Sequence, residues 1–231
     1  MKQIQNKELL HEKLIEFQFE HMFTQIEQVP FKLLRFEKGE VILLEGMEMD
    51  SLLFLVEGKV KITASVGNGK SLLLRFSHPF SIIGDIELIQ HVPVQSQVEA
   101  INQCVLIGLS FTYIKQHEMD NPKLLQKLLA HVSYKLQTCT TASRVNLLAS
   151  VENRFASYLL STKLEDNNQF AVELITANIE EIANLLGTTY RHLNRVIHSL
   201  VQKNIIVKDK SAIQIINVQE LEKIAQGIRY E

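Results

Sequence analysis

The hydrophobic pattern of the chain changes near residue 120, and this change constrains the fold more than any other feature. From Phe31 to about Ser110, short apolar runs such as KVKITAS and CVLIGLS are separated by glycines. Runs of this length and spacing are typical of a β-barrel or sandwich. After Asp120-Asn121-Pro122 the periodicity becomes helical, and proline suits the first position of a helix through its fixed φ. The pattern predicts an α+β protein with a β-rich first half.

Glycines mark the expected turns of the β-rich half. The stretch Val66-Gly67-Asn68-Gly69-Lys70 lies between two β-type runs. Because Asn and Gly tolerate the positive φ of a tight turn, we expect a hairpin with Asn68-Gly69 at its tip. The other expected corners are Gly39, Gly46, Gly58 and Gly84.

Helical patterns flank the β-rich half on both sides. Residues 6–28 carry apolar positions that fit a short helix ending near Pro30. Within residues 121–147, two rows repeat at intervals of seven, which predicts a long helix with a broad apolar stripe. This stripe can either pack against the chain's own β domain or also pair with a second copy of the helix, and both interpretations stay open. The rows are Leu125, Val132 and Cys139, and Leu129, Leu136 and Ser143.

Composition restricts the class of protein. Of the 231 residues, 46% are hydrophobic and 22% are charged, and the net charge is −2, as in an ordinary folded protein. No stretch approaches the ~18 uncharged apolar residues of a membrane span. The N-terminus lacks the apolar core of a signal peptide, so we expect a cytoplasmic protein without membrane contact. The near-neutral charge argues against nucleic-acid binding through a uniformly basic surface.

The segment 176–201 contains the clearest functional motif. Apolar residues from Ile179 to Leu186 follow the i, i+3, i+4, i+7 spacing of one buried helical face. Gly187 is suited to end that helix, and Thr188 or Thr189 can cap the next one. Two amphipathic helices joined by a short turn with glycine form a helix-turn-helix candidate. Around it we expect a helix over Val151–Lys163, a strand over Phe170–Ile175 and a terminal hairpin that turns at Asp209-Lys210-Ser211.

The exposed face of the second helix has side chains that can read DNA. At about 100° per residue, Arg191, Arg195 and His198 lie opposite the apolar face, with Asn194 on its flank. Arg pairs with guanine and Asn with adenine in the major groove, whereas an ordinary solvated face is the alternative. Tyr190 lies nearer the apolar edge, where it either packs or reaches a phosphate or base. The candidate DNA contacts of this helix are Thr189, Tyr190, Arg191, Asn194, Arg195 and His198.

Charge is segregated around the motif. Residues 165–181 contain five acidic and no Lys or Arg side chains, whereas residues 188–210 contain five basic side chains and one acidic, a local charge of +4. Lys208 and Lys210 fall on the terminal hairpin, which would lie beside the DNA backbone as a wing. Lysines there neutralise phosphates and supply salt-dependent affinity without sequence information. The pattern therefore predicts a winged helix-turn-helix that binds double-stranded DNA.

Four sequence blocks together resemble one known family. They are Glu37-Lys38-Gly39-Glu40, residues 53–60 (LFLVEGKV), Ile82-Ile83-Gly84-Asp85 and the helix-turn-helix. Their order and spacing across residues 31–218 resemble the Crp/Fnr family of bacterial transcription regulators. Residues 83–89 together with residues 189–193 are similar to its YeiL-like branch. The resemblance implies a sequence-specific DNA-binding regulator and not an enzyme.

The resemblance also implies a domain organisation. A helical segment over residues 1–30 precedes a cyclic-nucleotide-binding-type β jelly roll over 31–120. A dimerisation helix over 121–147 then leads to a winged helix-turn-helix over 148–231. A homodimer of this type reads two half-sites about one helical turn apart. In activators of the family, the loop before the helix-turn-helix meets RNA polymerase, which makes Glu165–Gln169 a candidate contact in this chain.

The resemblance locates a pocket for an effector. In members that bind cyclic nucleotides, a Gly-Glu pair and a downstream Arg-Ser pair hold the ribose phosphate. This chain has Gly84-Asp85 and Gln95-Ser96, so the arginine is missing. Because a neutral amide does not replace the charge that pairs with phosphate, we expect no cAMP binding. Gly84, Asp85, Gln95 and Ser96 either line a pocket for an unidentified small molecule or border a filled cavity.

Cysteine and histidine positions indicate no cofactor and no metal. The two cysteines provide neither a disulfide framework nor metal-ligand spacing. Iron–sulfur sensing needs a cluster of N-terminal cysteines, and the first cysteine is Cys104, which we interpret as a core residue of a strand. Cys139 lies on the predicted dimer helix, where facing its copy would permit a redox switch. The eight histidines show no spacing that favours haem.

Two other classes of function stay open on the residues alone. A cupin-like metal enzyme with an accessory helical domain requires a His and carboxylate cluster, for which the β region offers only His78 and His91. A jelly-roll adaptor for other proteins requires the helix-turn-helix face to be merely solvated.

Overall fold

The computed structural model describes residues 2–65, 67, 71–162, 174–175, 179–209 and 212–230, and it confirms the α+β class. The chain forms two compact units. The first unit comprises residues 1–64 and 77–137, and the second comprises residues 65–76 and 138–231. Several predicted features lie outside the described residues, namely the Asn68-Gly69 tip, the loop Glu165–Gln169, residues 170–173 of the expected strand, and Lys210.

Most of the described strands precede residue 120, and the long helix begins just after it. The strands are β1 (Lys2–Ile4), β2 (Lys32–Phe36), β3 (Val41–Leu43), β4 (Ser51–Glu57), β5 (Val60–Ser65), β6 (Ser71–Ser77), β7 (Ser81–Ile83), β8 (Gln97–Ala100), β9 (Cys104–Ser110), β10 (Leu174–Ile175), β11 (Ile206–Lys208) and β12 (Ala212–Ile215). The helices are α1 (Lys7–Glu16), α2 (Asp85–Gln90), α3 (Phe111–His117), α4 (Pro122–Leu148), α5 (Val151–Ser161), α6 (Ile179–Leu185), α7 (Tyr190–Gln202) and α8 (Val218–Ala225).

Two antiparallel sheets form the jelly-roll-type core of the first unit. One sheet has the strand order β1-β2-β9-β4-β7, and β3, β8 and β5 lie side by side in the other. The central strand β9 pairs with both β2 and β4. Its residues Cys104 to Leu109 are all buried, which explains why this strand is a continuous apolar run rather than an alternating one.

The N-terminal segment differs from the single helix expected up to Pro30. α1 ends at Glu16, and two short 3₁₀ turns follow at Phe19–His21 and Ile26–Gln28. Gln18 and Gln25 adopt left-handed backbone conformations that interrupt the helix. The interruption accompanies the burial of Phe19, whose ring lies 5.1 Å from that of Phe54. Core packing thus overrides helical periodicity in this segment.

The long helix α4 begins at Pro122, as the sequence predicts. The Oδ1 atom of Asn121 accepts a hydrogen bond from the backbone N–H of Lys123 at 3.0 Å and so caps the first turn. Leu124 and Leu128 are buried in the core of the first unit. The apolar stripe is a different face, because Leu125, Leu129, Val132 and Leu136 are 37%, 68%, 38% and 70% exposed.

The second unit contains the helix-turn-helix and a sheet of order β10-β12-β11. The chain continues beyond the hairpin into α8, a helix that the sequence interpretation missed. Asn217 caps α8 by accepting a hydrogen bond from the backbone N–H of Glu220 at 3.0 Å, and Leu221 and Ala225 are buried. Within the described part of the chain, none of the helices combines the length and apolar character that crossing a bilayer requires.

Candidate nucleic-acid interface and ligand pocket

A glycine turn connects α6 to α7. Gly187 has φ +61°, a conformation that glycine adopts without the Cβ penalty of other residues. The backbone N–H of Thr188 donates to the carbonyl of Ala183 at 2.9 Å, and that of Gly187 donates to Asn184 at 3.0 Å. These two bonds form a Schellman motif, which satisfies the last carbonyls of α6. The structure therefore confirms that Gly187 ends this helix.

Thr189 begins the second helix of the motif. Its side-chain oxygen accepts a hydrogen bond from the backbone N–H of His192 at 3.2 Å, which is the N-cap interaction expected for threonine. The turn between the helices therefore contains only a few residues, with each helix end satisfied locally. This local chemistry fixes the first turn of α7 relative to α6.

The two faces of α7 separate apolar from polar side chains. Leu193, Val196, Ile197 and Leu200 are buried, whereas the predicted reading residues occupy the other face. Arg191, Arg195 and His198 are exposed, and Asn194 is half-buried. Tyr190 is 51% exposed, so its ring is not absorbed into the core.

A cleft of about 670 Å³ borders this face, and sequence reasoning missed it. Arg195 and His192 of α7 line the cleft together with Glu152 and Arg154 from the beginning of α5. Nη1 of Arg154 donates to the carbonyl of Asn146 at 3.2 Å. The sequence feature that could have indicated the cleft is the charged pair Glu152 and Arg154 near the beginning of α5. These two residues line the cleft together with His192 and Arg195.

The wing hairpin is described on both sides of its tip. Lys208 at the end of β11 is exposed. The backbone N–H of Ala212 donates to Oδ1 of Asp209 at 2.6 Å, which closes the turn. Lys210 and Ser211 lie outside the described residues.

The predicted ligand pocket contains a buried ion pair. Asp85 follows Gly84 at the beginning of α2 and is 1% exposed. Its Oδ1 atom lies 2.5 Å from Nζ of Lys135 on α4. Its Oδ2 atom is buried and has no hydrogen-bond partner among the described residues. The carboxylate expected to meet a ligand is thus neutralised by a lysine of the same chain.

The other half of the predicted pocket has different partners. Gln95 is exposed, and its side-chain amide donates to the carbonyl of Pro93 at 2.7 Å. Its backbone N–H donates to Oε1 of Glu87 at 3.2 Å, and Ser96 is half-buried. Gln95 therefore stabilises its own loop, while Asp85 pairs with α4.

Lys135 was missed because the heptad rows drew attention to another face of α4. A different row points to the core of the first unit. Leu124 and Leu128 are buried, and the next member, His131, hydrogen-bonds through Nε2 to the backbone of Ile82 at 3.0 Å. Lys135 is one turn further along this row, so the i, i+4, i+7, i+11 spacing was the signal that could have identified it.

The two thiols have different surroundings. Cys104 is fully buried on β9, and its Sγ atom donates to the carbonyl of Lys59 at 3.3 Å. Burial raises the pKa of Cys104 to about 11, which fits the predicted core role. Cys139 is half-buried, with Nη1 of Arg75 at 3.7 Å from its Sγ atom.

Among the described residues, no group of three or more His, Cys, Asp or Glu side chains is placed to hold a metal ion.

Comparison with known proteins agrees with this arrangement. Residues 33–117 match the cyclic nucleotide-binding domain, and residues 153–224 match the Crp-like helix-turn-helix domain. The chain is 25% identical over 210 residues to regulatory protein YeiL of Escherichia coli O157:H7, covering 91% of this chain and 93% of that protein. It is 23% identical over 198 residues to a CRP-like cAMP-activated global transcriptional regulator of Mycobacterium tuberculosis, covering 84% and 87% of the two chains.

A solved structure shows the same architecture. It is a CRP/FNR-family transcriptional regulator from Thermus thermophilus, with 26% identity and a TM-score of 0.68, covering 84% of this chain and 98% of that chain. The two matched domains together span more than half of the present sequence, in the order that the sequence blocks predicted. The chain therefore belongs to the Crp/Fnr family of transcription regulators, which are not enzymes, and its helix-turn-helix is a DNA-binding domain.

Proposed function

We propose that the protein is a cytoplasmic, homodimeric regulator that reads two DNA half-sites and does not respond to cAMP. In this proposal residues 31–120 form the sensor domain, residues 121–147 dimerise and residues 148–231 bind DNA. The observation that carries the proposal is the exposed apolar stripe on the helix that precedes a polar reading face.

The stripe has the spacing of a helix–helix interface. Its residues Leu125, Leu129, Val132 and Leu136 recur at alternating intervals of four and three, as in a coiled-coil seam. Leu129 and Leu136 are about two-thirds exposed. Covering them would be favourable, because burying a leucine side chain fully stabilises by about 1.5–3 kcal/mol. A second copy of the same helix covers all four side chains at once, because a twofold axis brings identical stripes together.

The reading face has the chemistry for direct base contacts. Arg191 and Arg195 are exposed near the beginning of α7, which is the part of a recognition helix that reaches base edges. Asn194 supplies an amide suited to adenine. Lys208 on the wing offers a charge for phosphate, which supports affinity rather than specificity. A dimer presents two such faces and so favours a palindromic site with half-sites about 34 Å apart.

The pocket chemistry disfavours a cyclic nucleotide. The phosphate of cAMP needs a cation at the position of Gln95, and Gln95 is neutral and bonded to its own loop. Asp85 is buried and already paired with Lys135, so displacing this lysine would cost the ligand part of its binding energy. We therefore expect that this protein, unlike its cAMP-activated mycobacterial relative, does not bind cAMP.

Dimerisation is tested by placing charges on the stripe. We expect Leu129→Glu with Leu136→Glu to convert a dimer into a monomer in sedimentation equilibrium, because four carboxylates would meet at the interface. Binding to a two-half-site duplex should weaken by about 10²–10⁴-fold, since the second contact is no longer intramolecular. The matched control is Tyr134→Glu, an exposed position on the opposite side of the same helix. A wild-type protein that sediments as a monomer would contradict the homodimer.

DNA reading is tested by selecting duplexes from a random pool and comparing two variants on the selected site. Arg191→Ala should remove the preference at one base position, a loss of about 1–3 kcal/mol in discrimination. Lys208→Ala should weaken all sequences alike and reduce the salt slope by about one per protomer. Lys223→Ala, an exposed lysine on α8, serves as the charge-matched control. Equal loss on every sequence after Arg191→Ala would contradict base reading by α7.

A further inference from the structure

A second cleft, in the first unit, shares no lining residue with the predicted ligand pocket. The proposed function gives it no role. Its volume is about 410 Å³, within the range of roughly 300–1,000 Å³ for small-molecule sites. The N-terminal segment forms one wall through Phe17, Gln18, His21 and Met22, and α4 forms the other through residues that include Lys123 and Lys127. We refer to it as the basic cleft.

The charge of the basic cleft is of one sign. Among the described residues, its lining contains two lysines and a histidine and no carboxylate. Lys123 and Lys127 are four residues apart, so they lie one above the other on the same helical face and repel each other. Both belong to the first turns of α4, a helix of 27 residues whose N-terminal end adds positive potential. An anion placed there relieves the repulsion and meets the helix dipole favourably.

The wall opposite the charges offers an aromatic surface. The ring of Phe17 stacks on Phe80 with centroids 5.6 Å apart and an interplanar angle of 28°. Nζ of Lys127 lies 5.3 Å from the centroid of Phe80, so the cation and the aromatic pair are adjacent. Met22 is buried beneath the cleft. This surface suits a planar apolar group beside a negative charge.

The backbone holds one polar side chain at the edge of the cleft. Gln18 lines the cleft, and its left-handed backbone, with φ +53°, lies directly after the end of α1. The amide of Asn121 donates to the carbonyl of Met22 at 2.9 Å and so ties this segment to the beginning of α4. The two walls are therefore joined within the first unit before any ligand arrives.

We propose that the basic cleft binds a small organic anion with a phosphate or carboxylate group on a planar apolar body. The anionic group contacts Lys123 and Lys127, and the planar body lies against Phe17. Lysine pairs with both phosphate and carboxylate. A competition experiment with one ligand of each kind is therefore needed to separate the two. Binding does not require the dimer or DNA, which makes its failure distinguishable from failure of the proposed function.

The test uses the full-length protein and the fluorescence anisotropy of 1-naphthyl phosphate. The chain contains no tryptophan, so the naphthyl signal is observed with little protein background. We expect saturable binding that weakens with added salt, and competition by 1-naphthoate would extend the site to carboxylates. Inorganic phosphate and 1-naphthol should each compete at least tenfold more weakly, because each supplies half of the recognised chemistry. Equal competition by either one would overturn the proposal.

Two variants and a control locate the probe. Lys123→Gln with Lys127→Gln should weaken binding at least tenfold, since both cations are removed. Ala130 also lines the cleft. Ala130→Phe should also weaken binding, because the new ring occupies the cleft while the charge is unchanged. Lys7→Gln, an exposed lysine on α1, should bind like the wild type. Undiminished binding in the double lysine variant, with an unchanged circular dichroism melting curve, would refute a site in this cleft.

Discussion

Removing the positive charge of Lys135 provides a sharp test of the buried ion pair. The side chains of Asp85 and Lys135 are 1% and 13% exposed, and their charged atoms lie 2.5 Å apart. Lys135→Met keeps an unbranched apolar stem of similar length and removes only the ammonium group. Asp85 is then left as a buried carboxylate without a cation, and its Oδ1 atom keeps only the hydrogen bond from the backbone N–H of Ile86 at 3.1 Å. Breaking a buried ion pair in this way typically costs about 3–5 kcal/mol of unfolding free energy.

A surface ion pair gives the matched control. Lys203 and Glu152 lie 3.0 Å apart, but their side chains are 52% and 35% exposed. Because water solvates both charges, Lys203→Met should cost only about 0–1 kcal/mol. The same chemical substitution therefore has two expected magnitudes, because one ion pair is buried and the other is exposed to water.

Urea denaturation followed by circular dichroism at 222 nm measures both losses. All proteins are compared at one protomer concentration, since an oligomer makes stability depend on concentration. Asp85→Asn combined with Lys135→Met should recover most of the loss, because no charge then remains buried. If Lys135→Met costs no more unfolding free energy than Lys203→Met, the argument for a buried pair is refuted.

Three further predictions concern other parts of the chain. Gly58→Ala should destabilise the protein far more than Gly46→Ala in the same denaturation assay. Both positions have positive φ, but only at position 58 would a Cβ clash with backbone, at the carbonyl oxygen of Gln103. In Cys139→Ser the remaining thiol, Cys104, should react with Ellman's reagent only after unfolding, because burial raises its pKa to about 11; rapid reaction of the native variant would contradict the core position. Burial also raises the pKa of Tyr230 to about 12, so unfolding free energy should fall as the pH rises from 10 to 12, and Tyr230→Phe should remove part of this fall.

The sequence was sufficient where local chemistry decides the structure. Gly187 and Thr189 each act through bonds to residues within five positions, and the apolar face of α7 follows from helical periodicity alone. The beginning of α4 at Pro122 is another local effect. These features depend on neighbouring residues, so a single sequence contains what is needed to predict them.

The sequence was insufficient where distant residues decide. Asp85 and Lys135 are 50 positions apart, and nothing local indicates that a lysine would neutralise the acidic position of the pocket motif. The early end of α1 likewise follows from the burial of Phe19 against Phe54, which requires the sheet to exist first. The helix α8 was not predicted, because a winged motif can end with the hairpin that precedes this helix.

The helix α4 has three faces, and their separation makes the proposals independent of one another. At about 100° per residue, Leu124 and Leu128 point to the core, Leu129 and Leu136 belong to the stripe, and Lys127 belongs to the basic cleft. A substitution on one face leaves the other two faces in place. Leu129→Glu with Leu136→Glu should therefore abolish dimerisation without affecting the binding of 1-naphthyl phosphate. Lys123→Gln with Lys127→Gln should weaken the binding of 1-naphthyl phosphate without affecting dimerisation. Loss of both properties in either variant would mean that the helix itself had been damaged, and the melting curve would then report that damage directly.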